Sequence, residues 1–277
     1  MQKILVTTDF SANSKAGLRF AIQLASQNKF ELTFFHSYYV LIPTGWRKNK
    51  ISEYKKTEEK KIHNKLNRFV ASIYKNTGIN SPKFECVTKS SAFTESNIRK
   101  YAAENNFNFI CTSTSGVGKF KRLFGTTTAT LIKQSHVPVI VVPNNYKSKD
   151  ISSILYASDL LNIEKELKKV IDFARPLKAQ VELLHFSTPY KFVDSKMFEA
   201  RVKSISRYNK IGVYIDNETH DQPRASVVSS LLKKTKSSMM IMFTEQKRSL
   251  FQKIFLPSKS VKHSFITEVP LLIYKKG

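Results

Sequence analysis

Ile4-Leu5-Val6-Thr7-Thr8-Asp9-Phe10-Ser11 returns as Ile154-Leu155-Tyr156-Ala157-Ser158-Asp159-Leu160-Leu161. In both places an apolar run ends in a lone aspartate and leads into a helical pattern. The echo continues, with Leu32-Thr33-Phe34-Phe35-His36 matched by Val181-Glu182-Leu183-Leu184-His185 and Val137-Pro138-Val139-Ile140 by Val269-Pro270-Leu271-Leu272. The aspartates lie 150 residues apart, the histidines 149 and the Val-Pro pairs 132, so the second copy is shorter by about 17 residues, lost after its second strand. The chain reads as a tandem duplication, with one domain at residues 1–147 and a second at 148–277. A length of 277 residues fits two domains of ordinary size.

Within the first copy, short apolar runs rich in Val, Ile and Thr alternate with segments of helical period. Strands are expected at 3–8, 31–38, 84–88, 107–112 and 137–142, with Leu18, Ala21, Ile22 and Ala25 on the first helix behind candidate caps Ser11, Asn13 and Ser14. Residues 41–50 read as a loop containing Pro43 and Gly45, and Ile62, Leu66, Phe69, Val70 and Ile73 as one face of a long lysine-rich helix. The second copy repeats the plan, with strands at 153–158, 180–186, 212–215, 239–243 and 270–274. Alternation of this kind demands right-handed crossovers and a parallel sheet covered on both faces. The expected fold is therefore α/β, with two tandem open five-stranded parallel sheets flanked by helices, Rossmann-like and related by a pseudo-twofold axis. Ligands of such sheets bind beyond the carboxyl ends of the strands.

Composition narrows the function. Hydrophobic residues make up 41% of the chain, too many for disorder, and no apolar run reaches the ~18 residues of a membrane span. No membrane partner is expected, and the location is expected to be cytoplasmic. The only cysteines, Cys86 and Cys111, have no metal-like spacing. The net charge of +25 is spread over both copies, with 23 basic and 8 acidic residues up to Ser148 and 23 and 13 after it. Lysine outnumbers arginine 36 to 10, whereas bidentate phosphate and base recognition favours arginine, so no specific nucleic-acid partner is expected. Phosphate-loop, nucleophile-elbow and zincin motifs are missing. His36 and His185 sit at equivalent strand ends and read as histidines bonded to backbone. No catalytic residue and no metal ligand is proposed from the sequence.

The opening Ile4 to Ser11, the strand ending in Leu32-Thr33-Phe34-Phe35-His36, and Lys121-Arg122-Leu123-Phe124-Gly125-Thr126 before a helix and Val137 to Val142 resemble the universal stress protein family in its tandem form. The resemblance is close in the first copy and degenerate in the second. Nucleotide-binding members carry Gly, two residues, Gly, nine residues, then Gly followed by Ser or Thr. Glycine there lets main chain approach phosphate, while amides at the helix start and a hydroxyl donate to it. Thr112 and Ser115 stand where the first two glycines would be, and Gly125-Thr126 match the last. The resemblance further implies Asp9 near the ribose, Thr7, Ser37 and Cys111 beside the adenine, and Thr127 with Thr126 near the phosphates. Lys119, Lys121 and Arg122 are possible additional charges. ATP with magnesium is the cofactor implied for the first domain. In the second, Thr244, Lys247 and Pro257 replace the glycines, and proline has no amide proton, so no nucleotide is expected there. Two functions stay open: a non-catalytic stress-response protein acting by association with itself or an unknown protein partner, as an intramolecular pseudo-dimer or a homodimer, and an ATP-binding switch or very slow ATPase using the first domain.

Overall fold

A computed structural model describes residues 1–80, 84–114, 125–187, 194–208, 210–217, 223–244, 250, 254 and 268–276. The described residues fall into two compact units, one up to Ser148 and one from Lys149 onward. In the first unit the elements run β1 (Gln2–Thr7), α1 (Ser14–Gln27), β2 (Phe30–Tyr38), α2 (Lys48–Thr77), β3 (Glu85–Ser90), α3 (Thr94–Glu104), β4 (Phe109–Ser113), α4 (Thr126–Gln134) and β5 (Val139–Val142). The strand order is β3-β2-β1-β4-β5, and every pairing is parallel. Ile4, Leu5 and Val6 are fully buried because helices cover both faces of β1, which explains an uninterrupted apolar run instead of an alternating one. Leu18, Ala21 and Ile22 of α1 are buried as their spacing requires, together with Phe20 and Leu24.

The chain visits the sheet from β1 outward to β3 and then crosses back to β4 on the other side of β1. The direction of winding therefore reverses between β1 and β4, and helices leaving those two strands diverge to opposite faces. A crevice must open at their carboxyl ends. Gly17 keeps α1 close to the same place, since its amide donates to Ser113 Oγ at 2.7 Å and an added Cβ would meet that oxygen at the same distance.

The second unit contains β6 (Ser153–Ser158), α5 (Ile163–Ala174), β7 (Gln180–Ser187), α6 (Ser195–Ser206), β8 (Ile211–Asn217), α7 (Arg224–Lys234), β9 (Met239–Thr244) and β10 (Leu271–Lys275). Its order is β10-β9-β6-β7-β8, again wholly parallel. The expected parallel α/β architecture is thus present, with five strands in each unit. One boundary differs from expectation. Helix α2 begins at Lys48, inside the segment read as loop, and only Leu66, Val70, Ile73 and Tyr74 of its 30 residues are buried. Ile62 and Phe69, expected on its buried face, are half-buried.

Candidate functional site

The crevice beside β1 and β4 is a cavity of about 390 Å³, within the range of small-molecule sites. Five places in the chain build its walls: the end of β1 with the turn after it, the end of β2, the start of α3, the end of β4, and the start of α4. Thr7, Asp9, Ser37, Thr112, Gly125, Thr126 and Thr127 all line it, so seven of the nine residues singled out from sequence meet in one space. Cys111 does not line it. Its side chain is wholly buried beneath α1, with Sγ 3.6 Å from the Gly17 carbonyl, and its own carbonyl accepts the Thr7 hydroxyl at 3.3 Å. Burial pushes the Cys111 thiol far above its usual range, as expected for an inert core cysteine. Ser115, Lys119, Lys121 and Arg122 lie outside the described residues.

Asp9 ends an extended strand and starts a tight turn. Its carboxylate accepts the Ser11 amide at 2.9 Å, Phe10 takes a left-handed φ of 64°, and the Phe10 amide donates to Thr8 Oγ1 at 3.0 Å. Burial raises the Asp9 pKa, but hydrogen bonds from Ser11 and Ser14 outweigh it, and the carboxyl is held below its ordinary range. A charged acceptor therefore stands at the crevice mouth. His36 buttresses the turn, with Nδ1 2.7 Å from the Thr8 carbonyl and its ring 4.2 Å from that of Phe10. The histidine is bonded to backbone, as its sequence position suggested.

Hydroxyls dominate the rest of the lining, and most are already engaged. Thr8 pairs with Ser14 at 2.8 Å, Thr128 donates to the Ser113 carbonyl at 3.2 Å, and Ser37 accepts from Asn97 at 2.8 Å. Thr94, Thr112, Thr126 and Thr127 have no hydrogen-bonding side-chain partner among the described residues. At α4 the backbone bond from Ala129 to Gly125 closes the first turn, which leaves the amides of Thr126, Thr127 and Thr128 without a helical acceptor. Free amides and a helix dipole aimed at a cavity suit an anion. Of the other wall residues, Ser11, Asn13 and Ser14 were read from the sequence as helix caps only, and the hydroxyls Thr8, Thr94, Ser113 and Thr114 were not picked out. Their signal was a serine or threonine within two residues of a strand or helix end.

The second unit keeps the turn and places a lysine beside its aspartate. Leu160 repeats the left-handed φ of 64°, the Leu161 amide donates to Asp159 Oδ1 at 3.2 Å, and His185 Nδ1 lies 3.0 Å from the Ser158 carbonyl. Here, however, the Lys276 ammonium, just past β10, reaches back to Asp159 and lies 3.6 Å from Glu166 on α5. Tyr156 donates to Glu166 at 2.6 Å and touches Ser158 at 3.0 Å. At the repeat offset of 150, Tyr156, Glu166 and Leu167 correspond to Val6, Ala16 and Gly17. Three compact residues of the first copy are replaced by three bulky ones, and a lysine fills the space beside the aspartate. Pro257 and Lys247 lie outside the described residues, but Lys276 was missed, although its position corresponds to the neutral Asn144.

A family model described as the universal stress protein family matches residues 1–143, just over half of the sequence. The chain belongs to the universal stress protein family. Among solved structures, a universal stress protein from Archaeoglobus fulgidus aligns over 99% of this chain and 98% of its own, with a TM-score of 0.68 and 15% identity. A functionally unknown protein from Pseudomonas aeruginosa aligns over 99% and 92%, with a TM-score of 0.55 and 13% identity. Both similarities speak to the fold alone. A universal stress protein in complex with cAMP covers 53% of this chain at 17% identity, with a TM-score of 0.38. No curated protein matches the sequence. Among the described residues of this universal stress protein no helix is long and apolar enough to cross a membrane, and no group of three or more metal-ligating side chains converges.

Proposed function

We propose that this universal stress protein is a two-domain stress-response protein that acts by association, within the chain, with a second copy or with another protein, and that the first domain alone holds an adenine nucleotide, weakly. The observation that carries the reading is the contrast between its two aspartates. Asp9 faces an open, hydroxyl-lined cavity ending in free helix amides, whereas Asp159 is neutralised by Lys276. The first crevice fits a nucleotide: Asp9 would hold a ribose, and Gly125 with the amides of Thr126 and Thr127 would hold phosphate. Thr112 would narrow the approach, because its side chain lines the cavity where a glycine would leave room. Cytoplasmic work suits the two free thiols, Cys86 and Cys111.

The same free amides favour a second reading, in which bound ATP with magnesium switches the protein or is hydrolysed very slowly. Titration of the full chain with ATP and magnesium in a calorimeter tests both. One weak site per chain is expected, weakened about tenfold or more by Asp9→Ala and unchanged by Asp159→Ala. Two equivalent sites, or equal losses from the two substitutions, would refute the assignment. Release of phosphate at a rate set by bound ATP and abolished by Asp9→Ala would favour the switch or ATPase.

A further inference from the structure

Helix α2 has two unlike halves. The second half packs Leu66, Val70, Ile73 and Tyr74 into the core. From Lys48 to Lys65, about 27 Å of helix, no residue is fully buried. Yet the apolar stripe does not stop there. Ile51, Tyr54 and Ile62 continue it toward the amino end at the same three- and four-residue spacing, all half-buried, with Glu58 held at 3.4 Å by Lys61. Exposed lysines at 50, 55, 61 and 65 flank the stripe. Before the helix, Trp46 stands edge-on to Tyr54 at 5.2 Å with the Lys50 ammonium 4.3 Å from its ring, and Leu41 is 77% exposed.

We propose that this amino-terminal half of α2 is a docking face for an acidic amphipathic helix of a partner protein. The inference rests on the reading that the chain works by association, and it names the chemistry of the partner. The helix carries eight lysines and one arginine against three glutamates, so its complement is acidic. A second copy of this chain is disfavoured by the like charge of +25 on each molecule. An apolar stripe of helical period between basic flanks is complemented by a helix with an apolar stripe between acidic flanks. A nucleic-acid backbone would gain nothing from Ile51 and Ile62. In a lipid surface Trp46 would have to leave its contacts with Tyr54 and Lys50.

Trp46 is the only tryptophan, so docking beside it can be read directly. The full chain is titrated with a synthetic peptide of about 18 residues, five turns, that places leucine at i, i+3, i+4 and i+7 and glutamate elsewhere. A scrambled peptide of equal composition serves as control, alongside phosphatidylserine vesicles and single-stranded RNA. The patterned peptide is expected to shift Trp46 emission to the blue and to bind about tenfold more tightly than the scrambled one. Ile51→Ser with Ile62→Ser should remove that advantage while leaving circular dichroism and the thermal midpoint unchanged, and Lys55→Gln with Lys61→Gln should weaken binding and flatten its salt dependence. Equal binding of both peptides, no binding of either, or a Trp46 response to vesicles or RNA alone would overturn the proposal. Peptide binding that survives the α2 substitutions would leave association standing and remove α2 from it.

Discussion

At the residue scale, the turn after β1 shows how one side chain serves folding and ligand chemistry together. Asp9 accepts the Ser11 amide, and Asp159 makes the same contact in a unit where a lysine pairs with it, so the aspartate earns its position as a turn former before any ligand is considered. His36 supports that turn and provides a pH test. Burial lowers its imidazole pKa, Lys65 adds to the effect, and the bond to Thr8 with the charge of Asp9 opposes it. A histidine with a depressed folded pKa contributes stability above its unfolded pKa of about 6.5 and loses it as pH falls through the folded value. Urea midpoints of the full chain should therefore drop between about pH 7.5 and 5.5, and His36→Gln should drop less over that interval. An equal drop in both proteins would show that His36 does not titrate as its surroundings dictate. Asp9 and His36 were both legible in the sequence because repetition pointed at them. Lining hydroxyls such as Thr94, Ser113 and Thr114 were not, since a serine or threonine near a strand end looks the same whether it caps, bridges or faces a cavity.

At the element scale, the proposed nucleotide site turns on the carboxyl end of β4. Thr112 is buried and paired in register with Val141 on β5, with its side chain on the cavity wall. Thr112→Gly with Ser115→Gly should open the approach and strengthen ATP binding by roughly 5- to 150-fold, the equivalent of ~1–3 kcal/mol for a relieved phosphate contact. Unchanged or weaker affinity by calorimetry would dismiss steric crowding as the reason for weak binding. The same scale governs the second unit, where the end of β10 is tied to β6 and α5. Lys276 and Glu166 side chains are 5% and 4% exposed, so Lys276→Met removes the countercharge of a buried carboxylate and should destabilise the chain by about 3 kcal/mol in urea. Burial holds the Glu166 pKa up, against its bonds to Tyr156 and Lys276. The deficit should accordingly shrink at acid pH, where Glu166 is protonated, and shrink also in Lys276→Met with Glu166→Gln. A loss of similar size in the double variant would mean that packing, not charge, is what Lys276 supplies. The strands themselves were readable because buried parallel strands are continuous apolar runs. The start of α2 was not: Pro43 and Gly45 mark a loop, and nothing in an exposed lysine-rich segment says where helix begins.

At the scale of the whole molecule, the two units share an architecture and differ in what fills the switch point of the sheet. That difference was only partly visible in the sequence. Substituted glycines and Pro257 pointed to a degenerate copy, but the lysine that pairs with its aspartate lies 117 positions away and becomes informative only when β10 runs beside β9. A counter-ion attached by four methylenes behaves differently from a dissolved one. It has no free concentration, so the contact it makes with Asp159 does not depend on what is dissolved around it. If the first unit holds a nucleotide as proposed, its melting should rise with the logarithm of added nucleotide once the dissociation constant is exceeded. On the same proposal the second unit should not respond. Differential scanning calorimetry of the full chain across a series of ATP concentrations should then resolve a portion of the heat that moves and a portion that stays. A uniform displacement would mean that the two units melt as one cooperative body, and the tethered ammonium would be felt as a constant offset in a single transition.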